Sequence, residues 1–319
     1  MALVGVIITI LMWSTLAASV QLLHGVPTLF LNGVALTVGG LLGLPWAKEW
    51  RMPLPLFLAG SLSMFAYHVI YFYALQLGEP IGVSLIHYLW PMLIVLLAPR
   101  SSNSRRGVRW HLASAALGMG GAALACVSAI HPSTGLAGAQ GHFNVSMIGA
   151  YALALLSAVA WAGYSLLGAR NTAISSHSVG AFCLSAGLAC LALYFATGQM
   201  PRVTEQQSAI LFYLGIGPMG AAFYLWDYGM KKGDPRKVAV LSYATPVLST
   251  IALSICLGTR MTFAMWIGTV MVAVSIAISS RSRESQTIRT AGLGAVQPSH
   301  LVDADFCTRI RSDSQMERE

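Results

Sequence analysis

The chain has 319 residues, of which 9% are charged and 56% hydrophobic, and Lys plus Arg outnumber Asp plus Glu by 19 to 11. So few charged side chains cannot clothe the surface of soluble domains, and that class is excluded. The net charge of +8 is explained by where the basic residues fall between apolar runs, and it calls for no nucleic-acid partner.

Runs long enough to cross a bilayer recur along the chain. They predict spans at about 3–22, 26–45, 53–76, 80–98, 110–130, 146–168, 177–197, 208–230, 236–257 and 262–280. Met1 leads straight into the first run with no basic lead or cleavage site, so the segment reads as a span and not a signal peptide. Trp13 lies near its middle. The second span holds Gly39, Gly40 and Gly43, small residues that let helices approach closely. The third is aromatic on several sides, with Tyr67 and Tyr71 four apart on one face and His68 beside them.

The fourth span has a copy elsewhere. Gly78-Glu79-Pro80 through His87-Tyr88-Leu89-Trp90-Pro91 to Leu93, moved 155 positions without a gap, falls on Gly233-Asp234-Pro235 through Ser242-Tyr243-Ala244-Thr245-Pro246 to Leu248. Gly78, Pro80, Val83, Tyr88, Pro91 and Leu93 are identical in the copy, and Glu79 meets Asp234. Two unrelated apolar helices would match in Leu and Ala, not in these residues, so the chain reads as an internal duplication. Pro80 and Pro235 open helices, where proline is tolerated. Pro91 and Pro246 fall inside apolar runs, where each lacks an N–H and crowds the carbonyl four residues back, at His87 and Ser242. Each copy therefore offers a loosened carbonyl, a polar side chain and a tyrosine at one depth, with Pro91 and Pro246 as hinges. Trp90 lies off the face shared by Ser84, His87, Tyr88 and Pro91.

The fifth span carries Ser114, Gly118 and Gly121, again a packing face, and residues 131–145 read as an extracytoplasmic linker. In the sixth, Trp161 occupies the place of Trp13, followed by Tyr164. Tryptophan favours the membrane interface, so a central pair points to a cavity wall. The eighth bends at Gly215 to Gly220 around Pro218 and then presents Phe223, Tyr224 and Trp226. Asp227, the one carboxylate clearly inside a span, is placed to pair with Lys231 four residues on. Glu79 and Asp234 begin helices, where a carboxylate caps. Four of the five cysteines lie in spans and no disulfide is expected. Residues 281–319 read as a disordered cytoplasmic tail.

Except for Arg202 and Arg260, every Lys and Arg falls in alternate connections or beyond residue 280, which places both termini in the cytoplasm. Five spans per copy is odd, so the second copy enters from the opposite face. The expected fold is an all-α polytopic membrane protein of ten helices in two inverted repeats, 1–130 and 146–280, with a midplane site where they meet. Trp13, Tyr71, His87, Tyr88 and Trp90 would come to that site from the first repeat. Trp161, Tyr164, Trp226, Ser242 and Tyr243 would come from the second. The chain has no His-Glu-x-x-His, no Gly-x-Ser-x-Gly, no carboxylate cluster for a metal and no phosphate-binding Gly-Lys-Ser/Thr loop. An enzyme, a cofactor and an ATP-driven pump are accordingly not expected.

The Met12-Trp13-Ser14-Thr15, His87-Tyr88-Leu89-Trp90-Pro91, Trp161/Tyr164 and Ser242-to-Ser249 segments resemble the drug/metabolite transporter superfamily with its paired EamA repeats. Within it they are similar to the aromatic amino acid exporters of the YddG type. The resemblance implies an inner-membrane carrier that moves amino acids, aromatic ones above all, out of the cytoplasm through a central cavity. The alternatives are an efflux carrier for other small metabolites or drugs and, from another class, a non-transporting membrane enzyme or scaffold. Its partners would be the amino acid and the lipid bilayer. The place of Trp90 in the cavity rests on this resemblance. His87 and Asp227 stand where the family pattern has asparagine, which bears on substrate preference and coupling.

Overall fold

The structure is a computed structural model and describes residues 1–77, 80–98, 105–128, 145–256 and 262–281. Gly78, Glu79, most of the predicted 131–145 linker and the predicted tail after Arg281 lie outside the described residues. Every regular element among them is helical, as expected where backbone N–H and C=O groups must be satisfied within one segment.

The first predicted span divides into α1 (Ala2–Ser14) and α2 (Leu16–Leu22). Ser14 and Thr15 each donate a hydroxyl to the carbonyl three residues back, at 2.6 and 2.7 Å, a back-bonding that bends helices. The second is shorter than predicted. It is α3 (Thr28–Leu41), continued by a 3-10 segment at Leu44–Glu49 with a proline in its first turn. α4 (Leu54–Leu77) is continuous.

The fourth span is cut into α5 (Pro80–His87) and α6 (Trp90–Leu97), with Pro91 in the first turn of α6. α7 (Arg105–Ser128), α8 (Val145–Arg170) and α9 (Val179–Phe195) follow. The eighth span begins with a capping box, in which Thr204 Oγ1 accepts from Gln207 N–H and Gln207 Oε1 from Thr204 N–H. It runs as α10 (Glu205–Ile216), a π-helical turn at Gly217–Ala221 and α11 (Ala222–Lys232). The predicted bend is thus a local widening of the helix at Pro218.

The ninth span is broken like the fourth, into α12 (Pro235–Leu241) and α13 (Ala244–Cys256). Asp234 caps α12, its carboxylate accepting the Arg236 N–H at 3.1 Å. α14 (Phe263–Arg281) ends the fold. Five helical stretches among the described residues are long and apolar enough to cross a membrane: Ala2–Val20, Leu54–Leu75, Met147–Arg170, Ser176–Phe195 and Glu205–Lys232. Thr28–Leu41 and Phe263–Ser279 are apolar but shorter.

The main packing pairs are α3 with α9, α4 with α8 and α9, α1 with α11 and α13, α8 with α5 and α6, and α6 with α12. Glycine makes the first pair possible. A Cβ on Gly40 would lie 2.5 Å from the Leu184 backbone nitrogen, and one on Gly187 2.5 Å from that of Thr37. The second-span glycines therefore serve backbone approach, as their spacing predicts.

Candidate functional site

A cavity with about 690 Å³ of empty space, part of it open, lies among α1, α4, the α5/α6 break, α8 and the π turn. Trp13 and Leu16 reach it from the first span, and Tyr67, His68, Tyr71 and Phe72 from α4. His87, Tyr88 and Trp90 come from the break, and Trp161 from α8. Met219, Phe223 and Thr245 complete the lining. Among the described residues no Asp, Glu, Lys or Arg lines it, and the polar groups that do are neutral.

One floor of the cavity is a cluster of indoles. Trp13 lies 5.6 Å from Trp161, 6.4 Å from Trp90 and 5.2 Å from Trp226, and Trp90 stands edge-on to Trp226 at 5.3 Å. Such ring pairs, three of the four edge-to-face, favour rings over aliphatic neighbours by roughly 0.5–1.5 kcal/mol each beyond their burial. Two of these indoles are also tethered. Trp13 Nε1 donates to the Pro218 carbonyl in the π turn at 3.0 Å, and Trp226 Nε1 to Ser165 Oγ at 3.0 Å.

The other wall is polar. His87 packs against Tyr71 at 4.2 Å and Tyr67 at 5.3 Å, and its Nδ1 is 2.9 Å from Ser157 Oγ. Tyr67 also touches His68 at 4.4 Å, and the Tyr71 hydroxyl lies 3.3 Å from Ser84 Oγ.

Towards the ends carrying Ala98, Arg170 and Lys232, polar links join the helices. Arg236, only 8% exposed, donates Nε to the Val95 carbonyl at 3.2 Å and Nη2 to the Ala98 carbonyl at 2.7 Å. These are carbonyls of the last turn of α6, which have no intrahelical partner. Lys231 pairs with Asp227 at 2.6 Å, as the i,i+4 spacing predicts, and donates to the Ile174 carbonyl at 2.9 Å. Nearby, Glu49 takes hydrogen bonds from Ser175 and His177, and the Trp46 ring stacks on His177 at 4.6 Å. The Ser175 hydroxyl first, and then His177, hold the Glu49 carboxyl below the usual carboxylate range.

Of the ten residues assigned to the site from sequence, Trp13, Tyr71, His87, Tyr88, Trp90 and Trp161 line the cavity. Trp226 packs behind the floor, and Tyr164 stacks on Trp161 at 5.4 Å from the second layer. Ser242 and Tyr243 are fully buried and do not line it. The Ser242 hydroxyl donates to the Ala239 carbonyl, and the Tyr243 ring packs against Gly118. Both residues sit in the break between α12 and α13, and Thr245, in the first turn of α13, lines the cavity instead. Thr245 is 6% exposed, and its hydroxyl has no partner among the described residues. The Ser242 carbonyl, expected to be loosened by Pro246, accepts the Thr245 N–H at 2.9 Å. The break at Tyr88–Leu89 works the other way, bringing Trp90 onto the lining although an unbroken helix would turn it aside.

Residues 1–127 and 148–281 match the EamA-like transporter family. The chain is 36% identical over 253 residues to the aromatic amino acid exporter YddG of Ancylobacter novellus, covering 76% of this chain and 84% of that one. It is 27% identical over 282 residues to the aromatic amino acid exporter YddG of Escherichia coli K12, covering 83% and 92%. A protein crystal structure superimposes with a TM-score of 0.75 at 31% identity, over 87% of this chain and 96% of that one.

Proposed function

The chain belongs to the EamA-like transporter family, and from that premise we propose that it exports aromatic amino acids across the inner membrane by alternating access. The observation that carries this is the cavity itself, whose indole floor and neutral polar wall hold no formal charge. Flat rings are favoured there over small side chains, and a net-charged solute would lack a counter-charge. The relatives that carry the exporter name support the same reading.

The ten spans and their inverted repeats belong to this reading. Exchange of the two copies turns the α4–α8 pair into α11–α1, the α4–α9 pair into α10–α3, and the packing of α5 and α6 on α8 into that of α13 on α1. A two-fold relation would produce this pattern. With the termini cytoplasmic, the Arg236 and Lys231 links close the cytoplasmic side, so the cavity faces outward.

The test is counterflow in proteoliposomes, with labelled L-tryptophan competed by each of the twenty amino acids. Tryptophan, tyrosine and phenylalanine should compete at least about tenfold better than alanine, the equivalent of about 1.4 kcal/mol. Equal competition by alanine and tryptophan would reject the aromatic specificity, and absence of counterflow would reject the carrier.

The paired breaks are the hinges of this cycle. Pro246→Ala restores an N–H that competes with that of Thr245 for the Ser242 carbonyl, which favours a straight helix. One hydrogen bond of about 1.4 kcal/mol corresponds to roughly tenfold slower turnover, and Pro91→Ala should act alike. Wild-type turnover in both purified variants would assign these prolines to packing alone.

A further inference from the structure

Both imidazoles in the cavity are held by bonds that leave the same atom available. His68 Nδ1 lies 2.7 Å from the Met64 carbonyl. A carbonyl only accepts, so Nδ1 carries the proton. His87 Nδ1 lies 2.9 Å from Ser157 Oγ, whose own proton is committed to the Ala154 carbonyl at 2.7 Å. Here too Nδ1 must donate. In a neutral imidazole the second nitrogen is then an acceptor. Neither Nε2 has a hydrogen-bond partner among the described residues, and both rings line the cavity with Tyr67 packed against each.

Two acceptor lone pairs in a cavity with no carboxylate among its described lining residues fit a group that only donates. A primary ammonium has three N–H donors and no lone pair. A carboxylate, which only accepts, cannot use either atom. We propose that the Nε2 atoms of His68 and His87 form the subsite for the substrate's ammonium group and make a free α-amine a requirement for transport. This rests on the amino acid export reading above. A solute with the same ring and carboxylate but no amine would bury two acceptors unsatisfied, and polar mismatches of that kind discriminate far more than a missing methylene does.

The probe pair is L-tryptophan and indole-3-propionate, which has hydrogen in place of the ammonium. In wild-type proteoliposomes the desamino acid should compete with labelled tryptophan at least about tenfold more weakly than tryptophan does. In a double His68→Asn, His87→Asn variant, the amide N–H can occupy the place of Nδ1–H and keep the bonds to Met64 and Ser157, while the ε acceptor is gone. The preference should then fall to within about threefold, through weaker tryptophan binding. Two results overturn the subsite while leaving the exporter standing: equal competition by both probes in the wild type, or an undiminished preference in a monodisperse double variant. Wild-type protein that carries no tryptophan at all would overturn both readings.

Discussion

Arg236→Gln is expected to open the side of the bundle that Arg236 now closes. Its guanidinium bridges two carbonyls at the end of α6 from the first turn of α12. It thereby links two helices, one from each EamA match, that under the proposed cycle part for the cavity to face the cytoplasm. Hydrogen bonds from a charged donor contribute roughly 1.5–3 kcal/mol each when measured by deletion. Water reaching the freed carbonyls offsets part of this, leaving about 2–3 kcal/mol against the closed form. That is about a 30- to 150-fold shift in population. Lysine has the charge without the fork, so Arg236→Lys should fall between. The measurement is labelling of an Ala162→Cys probe, beside the tryptophan floor and buried in the wild type. A membrane-impermeant thiol reagent should label it at least about tenfold faster in Arg236→Gln when supplied from the cytoplasmic side. Unchanged labelling would reduce Arg236 to a helix cap, and acceleration only from the opposite side would reverse the proposed orientation.

The breaks mark the limit of what the sequence could say about this site. Apolar helices and small-residue faces were legible because bilayer thickness and backbone approach constrain composition directly, and five of the predicted runs are long enough to cross a membrane. The Asp227–Lys231 pair and the Asp234 cap were legible because helix geometry fixes i,i+4 neighbours and first-turn donors. Trp13 and Trp161 stood out as indoles far from any interface. Which side chains turn inward after Tyr88–Leu89 and Ser242–Tyr243 was not legible. A face counted through a proline assumes an unbroken helix, and the discontinuity at Ser242–Tyr243 ends that count before Thr245 is reached. Tyr67, His68 and Phe223 were visible as an aromatic stripe, but a stripe looks the same whether it packs or lines a cavity. Only the neighbours that it leaves uncovered distinguish the two.

Trp161→Ala should cost more than any other single change in the cavity. Trp161 is 2% exposed and touches Trp13, Tyr67, Trp90, Tyr164, Phe223 and Trp226 at 4.9–6.3 Å. It thus joins the indole floor to the polar wall. Truncation to alanine removes those contacts and leaves a void, a change that costs about 3–5 kcal/mol in well-packed interiors. The loss is read in two ways. Thermal unfolding of the purified protein should shift downward, and the preference for tryptophan over alanine in counterflow should fall by about tenfold or more, since ring contacts give roughly 0.5–1.5 kcal/mol each. Trp161→Phe separates the two effects. It restores a ring against Tyr164 and Phe223, so it should recover most of the stability and more than half of the selectivity on a logarithmic scale. If Trp161→Ala unfolds earlier yet keeps the wild-type preference, Trp161 only holds the floor together. Recognition of the substrate ring would then rest on Trp90 and Tyr67, the neighbours that Trp161 holds in place.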